Sequence, residues 1–257
     1  MQINPILNTE NYNTRRSPSF GVWNREVYRS AEGKVFNIEL AHRNTTYLFR
    51  NKNFWKPFVT YMATVFKDIP HINVYDFGCS DGSEAYTLIM SLFSHLKKEI
   101  AEKFLPIIAK DYDSYAIDTA KKGRIAISCP EECNINDCTC HRFNDFFEEI
   151  PDVVYSKEPL YSPKNILKDN VTFEIGNICE DYKNIIPDNS IVFARNFWPY
   201  LEEKEKLDLI KNLHNTLGEN SYLVIGKFDI ENCSLNKCIE SFGFKPVLSD
   251  YVFKKDN

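Results

Sequence analysis

The chain has 257 residues, of which 43% are hydrophobic and 26% charged, a balance that supports a sizeable core and excludes disorder over the whole length. Its 36 acidic and 31 basic side chains leave a net charge of −5, which argues against a nucleic-acid binder that works by neutralising phosphates. No apolar run approaches the ~20 residues that cross a bilayer. Residues 1–33 lack an apolar signal stretch, so the expectation is a cytoplasmic protein, not inserted in a membrane, with reduced thiols.

The length suits one large domain with a small appendage. Residues 1–20 are polar and aperiodic and read as a loose arm. Phe54, Trp55, Phe58, Tyr61, Met62 and Phe66 recur at helical spacing and predict a packing helix. Residues 1–70 therefore form an arm with a short helical extension. From residue 71 to 257 the pattern changes. A strand at 72–77 runs into a Gly-containing loop, and a helix follows at 83–96, with Ala85, Leu88, Ile89, Leu92 and Phe93 on one face. A second strand at 105–109 ends at Lys110 and Asp111, and a helix at 115–122 is stopped by Gly123. After an insertion at about 124–170, strands are predicted at 171–175, 190–194 and 222–225, and helices at 203–217 and 235–242. Segments 244–247 and 251–254 read as a closing strand pair. Strands that alternate with helices imply a parallel sheet covered on both faces.

Eight cysteines are present. Cys129, Cys133, Cys138 and Cys140 crowd together just before His141, giving five soft ligands within a short stretch of the insertion. The spacing is not that of paired CxxC sites, so the expectation is an insertion loop with reduced thiols and no metal; zinc held by these five is the alternative. Cys233 and Cys238 fall on a predicted helix and read as packing residues.

In an open α/β sheet, ligands sit beyond the carboxyl ends of the strands. The first strand ends in Asp76-Phe-Gly78-Cys-Ser-Asp-Gly82-Ser-Glu84. Two glycines let the backbone turn sharply and approach a ligand. The loop lacks GxGxxG spacing and the lysine of a phosphate-binding loop, which argues against a nucleoside triphosphate. The second strand ends at Asp111, an acid placed to accept both hydroxyls of a ribose. A Gly-poor first turn with that acid suits a nucleoside cofactor without phosphates, S-adenosylmethionine. The alternative is that Gly78, Gly82 and Asp111 are ordinary loop residues of some other α/β protein.

Six blocks, in order over roughly residues 40–227, resemble the CheR-type chemotaxis methyltransferases. Asn44-Thr-Thr46-Tyr-Leu-Phe-Arg50 is similar to that family's N-x-T-x-F-F-R. Gly78-Cys-Ser-Asp-Gly-Ser-Glu84-Ala-Tyr86 resembles G-C-S-T-G-E-E-P-Y, with Asp81, Ser83 and Ala85 as departures. Lys110-Asp111-Tyr-Asp113 resembles T-D-I-D, and Ala120-Lys-Lys-Gly123 the A-x-x-G that follows. Val171-Thr-Phe173 with Asn177-Ile178 is similar to V-x-F and N-L. Val192-Phe-Ala-Arg195-Asn196-Phe-Trp-Pro-Tyr200 resembles I-F-C-R-N-V-x-I-Y, interrupted by Pro199. The resemblance implies a class I methyltransferase (Rossmann-like) fold: a mostly parallel seven-stranded sheet with helices on both faces and an antiparallel hairpin at its end. It implies S-adenosylmethionine as cofactor, S-adenosylhomocysteine as product and glutamate side chains of a protein as acceptor. Carried over, Asn44, Thr46, Arg50, Glu84, Asp111, Asn177, Ile178, Arg195 and Asn196 would contact the cofactor, beside Asp76 and Gly78 from the strand end. Arg50 and Tyr200 would lie near the transferred methyl. The insertion occupies the place of the family's small β subdomain, with a cysteine cluster and no obvious three-stranded pattern.

The chemistry suits these residue types. An acceptor carboxylate is already ionised at neutral pH, so no general base is required. What the protein must supply is positioning. Arg50 has paired N–H donors for a carboxylate, and Tyr200 a hydroxyl to orient it. The candidate partners are a protein, with a chemoreceptor among the possibilities, or a small-molecule carboxylate. Asn196-Phe-Trp-Pro-Tyr200 also has a superficial likeness to the N-P-P-Y motif of N-methyltransferases, with one extra residue before Pro-Tyr. A non-catalytic module that binds S-adenosylmethionine is the third alternative.

Overall fold

The computed structural model describes residues 46–150 and 159–256, together with the backbone of a two-stranded antiparallel ribbon, β1 (Arg25–Arg29) and β2 (Val35–Glu39). The arm predicted at 1–20, and Asn44, lie outside the described residues. Helix α1 (Lys52–Val65) buries Trp55, Phe58, Val59 and Met62, the stripe expected from the spacing. β3 (Asn73–Phe77) leads through the Gly-containing loop into α2 (Ser83–His95). β4 (Ile107–Asp111) leads into the helix Ser114–Lys122. The Asp113 carboxylate caps that helix by accepting from Tyr115 N at 3.0 Å, and Gly123 ends it at φ 59°.

β5 (Ile125–Ala126), β6 (Phe147–Glu149) and β7 (Leu160–Pro163) follow, then β8 (Val171–Ile175), β9 (Ser190–Ala194) and the helix Glu203–Thr216. β10 (Tyr222–Val224), β11 (Phe244–Pro246) and β12 (Val252–Lys255) complete the strands. Between β10 and β11 lie two helices, Lys227–Cys233 and Leu235–Ser241, meeting at Ser234 with φ 47°. Only the second is predicted by the sequence pattern. Cys233 ends the first and Cys238 lies on the second, each packed half-buried against the core.

The main sheet has the order β11-β12-β10-β9-β3-β4-β8. β10, β9, β3, β4 and β8 are parallel, and β12 runs antiparallel between β10 and β11. The chain steps from β3 to β4 on one side and reaches β9 on the other, so β3 marks the point where the order reverses. Phe77 stands opposite both Ala194 and Lys110, and Asp111 opposite Ile175. That register brings the loops after β3, β4, β8 and β9 to one edge. The two faces are apolar by strand alternation: Ile191 and Phe193 join the core with α1 and α2, whereas Val192 and Ala194 join the one with Leu209, Ile210 and Leu213. No helix among the described residues is long and apolar enough to cross a membrane.

The insertion differs from its sequence reading. It folds as a three-stranded antiparallel sheet in the order β5-β7-β6, with a helix at Cys129–Cys138. Ile135, Phe143, Phe146 and Phe147 are buried and belong to the same core as α2. Strands of two to four residues carry too few alternations to show a period. The alternative of a zinc cluster finds no support in the geometry: among the described residues no three His, Cys, Asp or Glu side chains converge as metal ligands. The helix spreads the thiols along its length. Cys129 and Cys133 are exposed, Cys138 turns half-buried toward the core, and Cys140 donates to the Ser94 carbonyl at 3.4 Å. The His141 ring packs on Phe146, with centroids 5.2 Å apart.

Candidate active site

The loop after β3 turns through three left-handed residues, Gly78, Ser80 and Gly82, with φ of 81°, 52° and 90°. Gly82 has a steric requirement as well, since a Cβ there would stand 2.6 Å from the Phe173 ring of β8. The loop is tied to the end of β4: Gly78 N and Cys79 N donate to the Lys110 carbonyl at 2.8 and 3.1 Å. Ser80 N donates to Asp111 Oδ2 at 2.7 Å, and Asp113 N to Asp111 Oδ1 at 2.8 Å. Each Asp111 oxygen thus accepts a backbone N–H, and a carboxylate oxygen can accept more than one such bond. Asp81, a departure from the family loop, accepts from Ser83 N and Ser83 Oγ at 3.0 and 2.6 Å and holds the first turn of α2.

Three carboxylates meet here: Asp76 faces Glu84, Asp111 and the buried Arg195 guanidinium. Arg195 Nη1 meets Glu84 Oε2 at 2.5 Å. The Arg195 guanidinium also lies over Phe54 and Trp55, 5.2 and 5.1 Å from the ring centroids. Asp76 is buried, and neither of its oxygens has a hydrogen-bond partner among the described residues. Burial, then the charge of Glu84, pushes its carboxyl well above the usual range, against the pull of Arg195. Burial also raises Glu84, opposed by Arg195 and then by Arg50.

The segment after β9 continues this wall. Asn196 has φ 65°, and its buried Oδ1 has no partner among the described residues. A Cβ on Gly226 would come within 2.3 Å of that oxygen. The turn is held by Asp229, which the sequence pattern does not single out. Asp229 accepts from Asn196 N (2.7 Å), Gly226 N (2.8 Å) and Trp198 N (3.3 Å). The signal that could have found it is an acid three residues after Gly226, a helix-start pattern for the unpredicted helix Lys227–Cys233.

Other predicted residues fall as follows. Thr46 and Arg50 are half-buried, and Arg50 lies over the Tyr47 ring, 5.8 Å from its centroid. Its turn is fixed by Leu48 N donating to Glu131 Oε1 (2.9 Å), Phe49 N to Thr87 Oγ1 (3.0 Å) and Trp55 Nε1 to the Arg50 carbonyl (3.0 Å). Glu131, in the insertion, is a second residue the sequence did not reveal. Asn177 starts the short helix Ile178–Asp181, its Oδ1 accepting from Cys179 N at 3.0 Å. It sits beside the end of β4, because Gly176 N donates to the Asp111 carbonyl at 3.0 Å. Ile178 is buried in the second core. Tyr200 is exposed on the turn Trp198–Tyr200, tilted against Phe228 at 6.3 Å. The structure therefore joins Asp76, Gly78, Glu84, Asp111, Arg195 and Asn196 in one wall, with the Arg50 charge within reach of Glu84. Tyr200 follows the end of the same strand and is exposed.

Residues 44–237 match the family model described as CheR methyltransferase, SAM binding domain. The chain is 26% identical over 155 residues to the chemotaxis protein methyltransferase of Borreliella burgdorferi, covering 60% of this chain and 51% of that protein. It is 24% identical over 209 residues to the putative methyltransferase Cher3 of Pseudomonas putida, covering 81% and 71% respectively. The chain thus spans about half the length of the Borreliella relative. The solved N-methyltransferase NodS of Bradyrhizobium japonicum is similar over 83% of this chain and 90% of that one, at 11% identity and a TM-score of 0.45.

Proposed function

Since the chain belongs to the CheR methyltransferase family, over that family's S-adenosylmethionine-binding domain, we propose that it methylates carboxylates, with glutamate side chains of a protein as acceptor. The observation that carries this reading is the excess of acid in the wall: buried Asp76 faces half-buried Glu84, buried Asp111 and the single buried guanidinium of Arg195, and both Asp76 oxygens lack partners among the described residues. Buried acceptors of this kind call for a ligand that brings positive charge and hydroxyl or amino donors. S-adenosylmethionine has those groups and no phosphate, which fits a loop without lysine.

Asp111 would accept the ribose hydroxyls. Asp76 and the Asn196 Oδ1 would accept from the ammonium group, and Glu84 with Arg195 would complete that wall. Gly78 lets the backbone approach closely, and Asn44, Thr46, Asn177 and Ile178 would close the remaining sides. When bound, S-adenosylmethionine supplies an electrophilic methyl group on a sulfonium centre. The acceptor carboxylate is ionised at neutral pH, so no residue of this chain needs to remove a proton. Arg50 would hold that carboxylate through its N–H donors, and the exposed Tyr200 hydroxyl would orient it. A protein acceptor is favoured over a small carboxylate by the insertion: it is a folded sheet tied by Glu131 to the turn that carries Arg50.

Calorimetric titration with S-adenosylhomocysteine tests the cofactor half, and base-labile methyl incorporation into bacterial protein fractions tests the acceptor. Binding at or below ~100 μM, worth at least about 5 kcal/mol, with labile esters, is the expected result. No binding by the wild-type protein would sink the reading, and methyl transfer that resists base would exclude a carboxyl acceptor.

A further inference from the structure

We infer that Asp229 is a positioning residue of this site: its carboxylate holds the turn at Asn196–Trp198 in the shape that presents Asn196 and Arg195 to the cofactor. The inference deepens the methyltransferase reading and rests on it. Asp229 touches none of the wall carboxylates directly. It acts on the main chain, accepting from the amides of Asn196, Trp198 and Gly226 at 2.7, 3.3 and 2.8 Å. Asn196 stands at φ 65°, a conformation that a non-glycine residue keeps only when its surroundings fix it. Its side-chain oxygen is buried and unpartnered among the described residues, and is confined by Gly226, whose own amide the same carboxylate holds. Two segments from different parts of the chain are thereby clamped by one fully buried acid.

A carboxylate suits this role because it offers acceptors only. A protonated acid or an amide would turn one oxygen position into a donor facing backbone N–H groups. Burial lifts the Asp229 carboxyl to about 6, against the downward pull of its backbone hydrogen bonds and of Arg195. The ionisable groups that face it are Arg195, at the end of β9, and Cys233, whose Sγ donates to the Asp229 carbonyl at 2.8 Å. Lys206 and Glu203 of the helix Glu203–Thr216 lie beyond Cys233. Asp76 and Glu84 also interact with Arg195.

The test compares S-adenosylhomocysteine affinity of the wild type and Asp229→Asn across pH. The amide resembles the protonated acid, so the variant should bind about tenfold more weakly at about pH 7.5, and the ratio should shrink toward about one near pH 5. The ratio cancels titration of Glu84 and Asp76, which both proteins share. A ratio near one throughout, or a large ratio that does not change with pH, overturns the proposal. Loss of binding by the wild type would instead overturn the methyltransferase reading itself. Should the variant fail to fold, the wild type carries a second test. The amide resonances of Asn196 and Trp198 should titrate together near pH 6, and saturation with S-adenosylhomocysteine should lower their midpoint, because a ligand that prefers the ionised form must depress that pKa. A midpoint that does not move with ligand also overturns it.

Discussion

The loops at the carboxyl edge of the main sheet and the insertion at 124–170 handle polar groups in opposite ways. At the sheet edge, both Asp76 oxygens, Arg195 Nε and Asn196 Oδ1 are buried without partners among the described residues. In the insertion the buried acid is fully engaged: Glu131 accepts from Leu48 N, Ser128 N and Ser128 Oγ at 2.9, 2.9 and 2.7 Å. Lys164 and Lys168 likewise find the Asn144 carbonyl and Ser162 Oγ. A buried polar group without a partner costs about 1–3 kcal/mol. A sheet edge that carries several of them is built for a third party, whereas the insertion is built to hold itself and its neighbour in place.

The largest expected effect breaks the sheet edge. Asp111→Ala removes the acceptor for Ser80 N and Asp113 N together with the proposed ribose ligand, so S-adenosylhomocysteine affinity should fall about 100-fold or more, as for losing hydrogen bonds to a charged group. Affinity within a factor of about three of wild type would show that the loop, not the acid, makes the pocket. Asp76→Asn sharpens the contrast, because it should improve stability and harm binding together. The folded-state pKa of Asp76 lies above the unfolded value. Its contribution to stability is therefore present below the unfolded pKa and is lost as pH rises through the folded one. The amide never ionises, so the variant should melt higher than wild type at pH 7 while binding about tenfold more weakly, the loss of one charge-assisted hydrogen bond. Equal melting temperatures would show that the acid is not held at a cost.

How much of this was legible in the sequence follows the same division. β3, β4, β8 and β9 are five-residue strands with near-continuous apolar runs or clear alternation, and the polar residues of the site lie at or just beyond their carboxyl ends. The strand pattern therefore puts Asp76, Gly78 and Asp111 at the sheet edge, whereas Glu84, Arg195 and Asn196 were candidates through the family resemblance. The insertion escaped because its strands span two, three and four residues, and because its core is a cluster of phenylalanines with no period. Glu131 and Asp229 were missed for a common reason. Both are acids buried by contacts with distant backbone amides, at separations of 83 residues for Leu48–Glu131 and 33 for Asn196–Asp229. A charged residue on a helix reads as a solvated face until the partner is known. The cysteine cluster shows that proximity in sequence is not convergence in space: Cys129 and Cys133 share an exposed helix face, whereas Cys138 turns toward the core and Cys140 leaves the helix for the Ser94 carbonyl.

A smaller effect is expected where the two regions meet. Glu131→Gln keeps the shape but loses acceptors for the Ser128 amide and hydroxyl or for Leu48 N, and should destabilise the fold by about 1–2 kcal/mol in urea unfolding. If the insertion positions Arg50 through Leu48, S-adenosylhomocysteine affinity should change less than the rate of methyl transfer. An equal loss in both would place Glu131 in the cofactor half.

The smallest effect is expected at the thiols, and it tests whether the insertion needs a metal. Structural zinc contributes its binding energy to folding, so a chelator would unfold a domain built on it. Here the insertion is held by Glu131, by the β5-β7-β6 ladder and by Phe143, Phe146 and Phe147. Cys129 and Cys133 share one exposed face of the helix, and the proximity of Cys129 raises the Cys133 thiol. Cys133→Ser should move the melting temperature by no more than about 2 °C, as for an ordinary surface substitution, and excess chelator should leave it where it was. A fall in melting temperature with chelator that disappears in Cys133→Ser would mean that the four cysteines draw together around a metal in solution. The insertion would then belong with the sheet edge, as a second region shaped by what it binds.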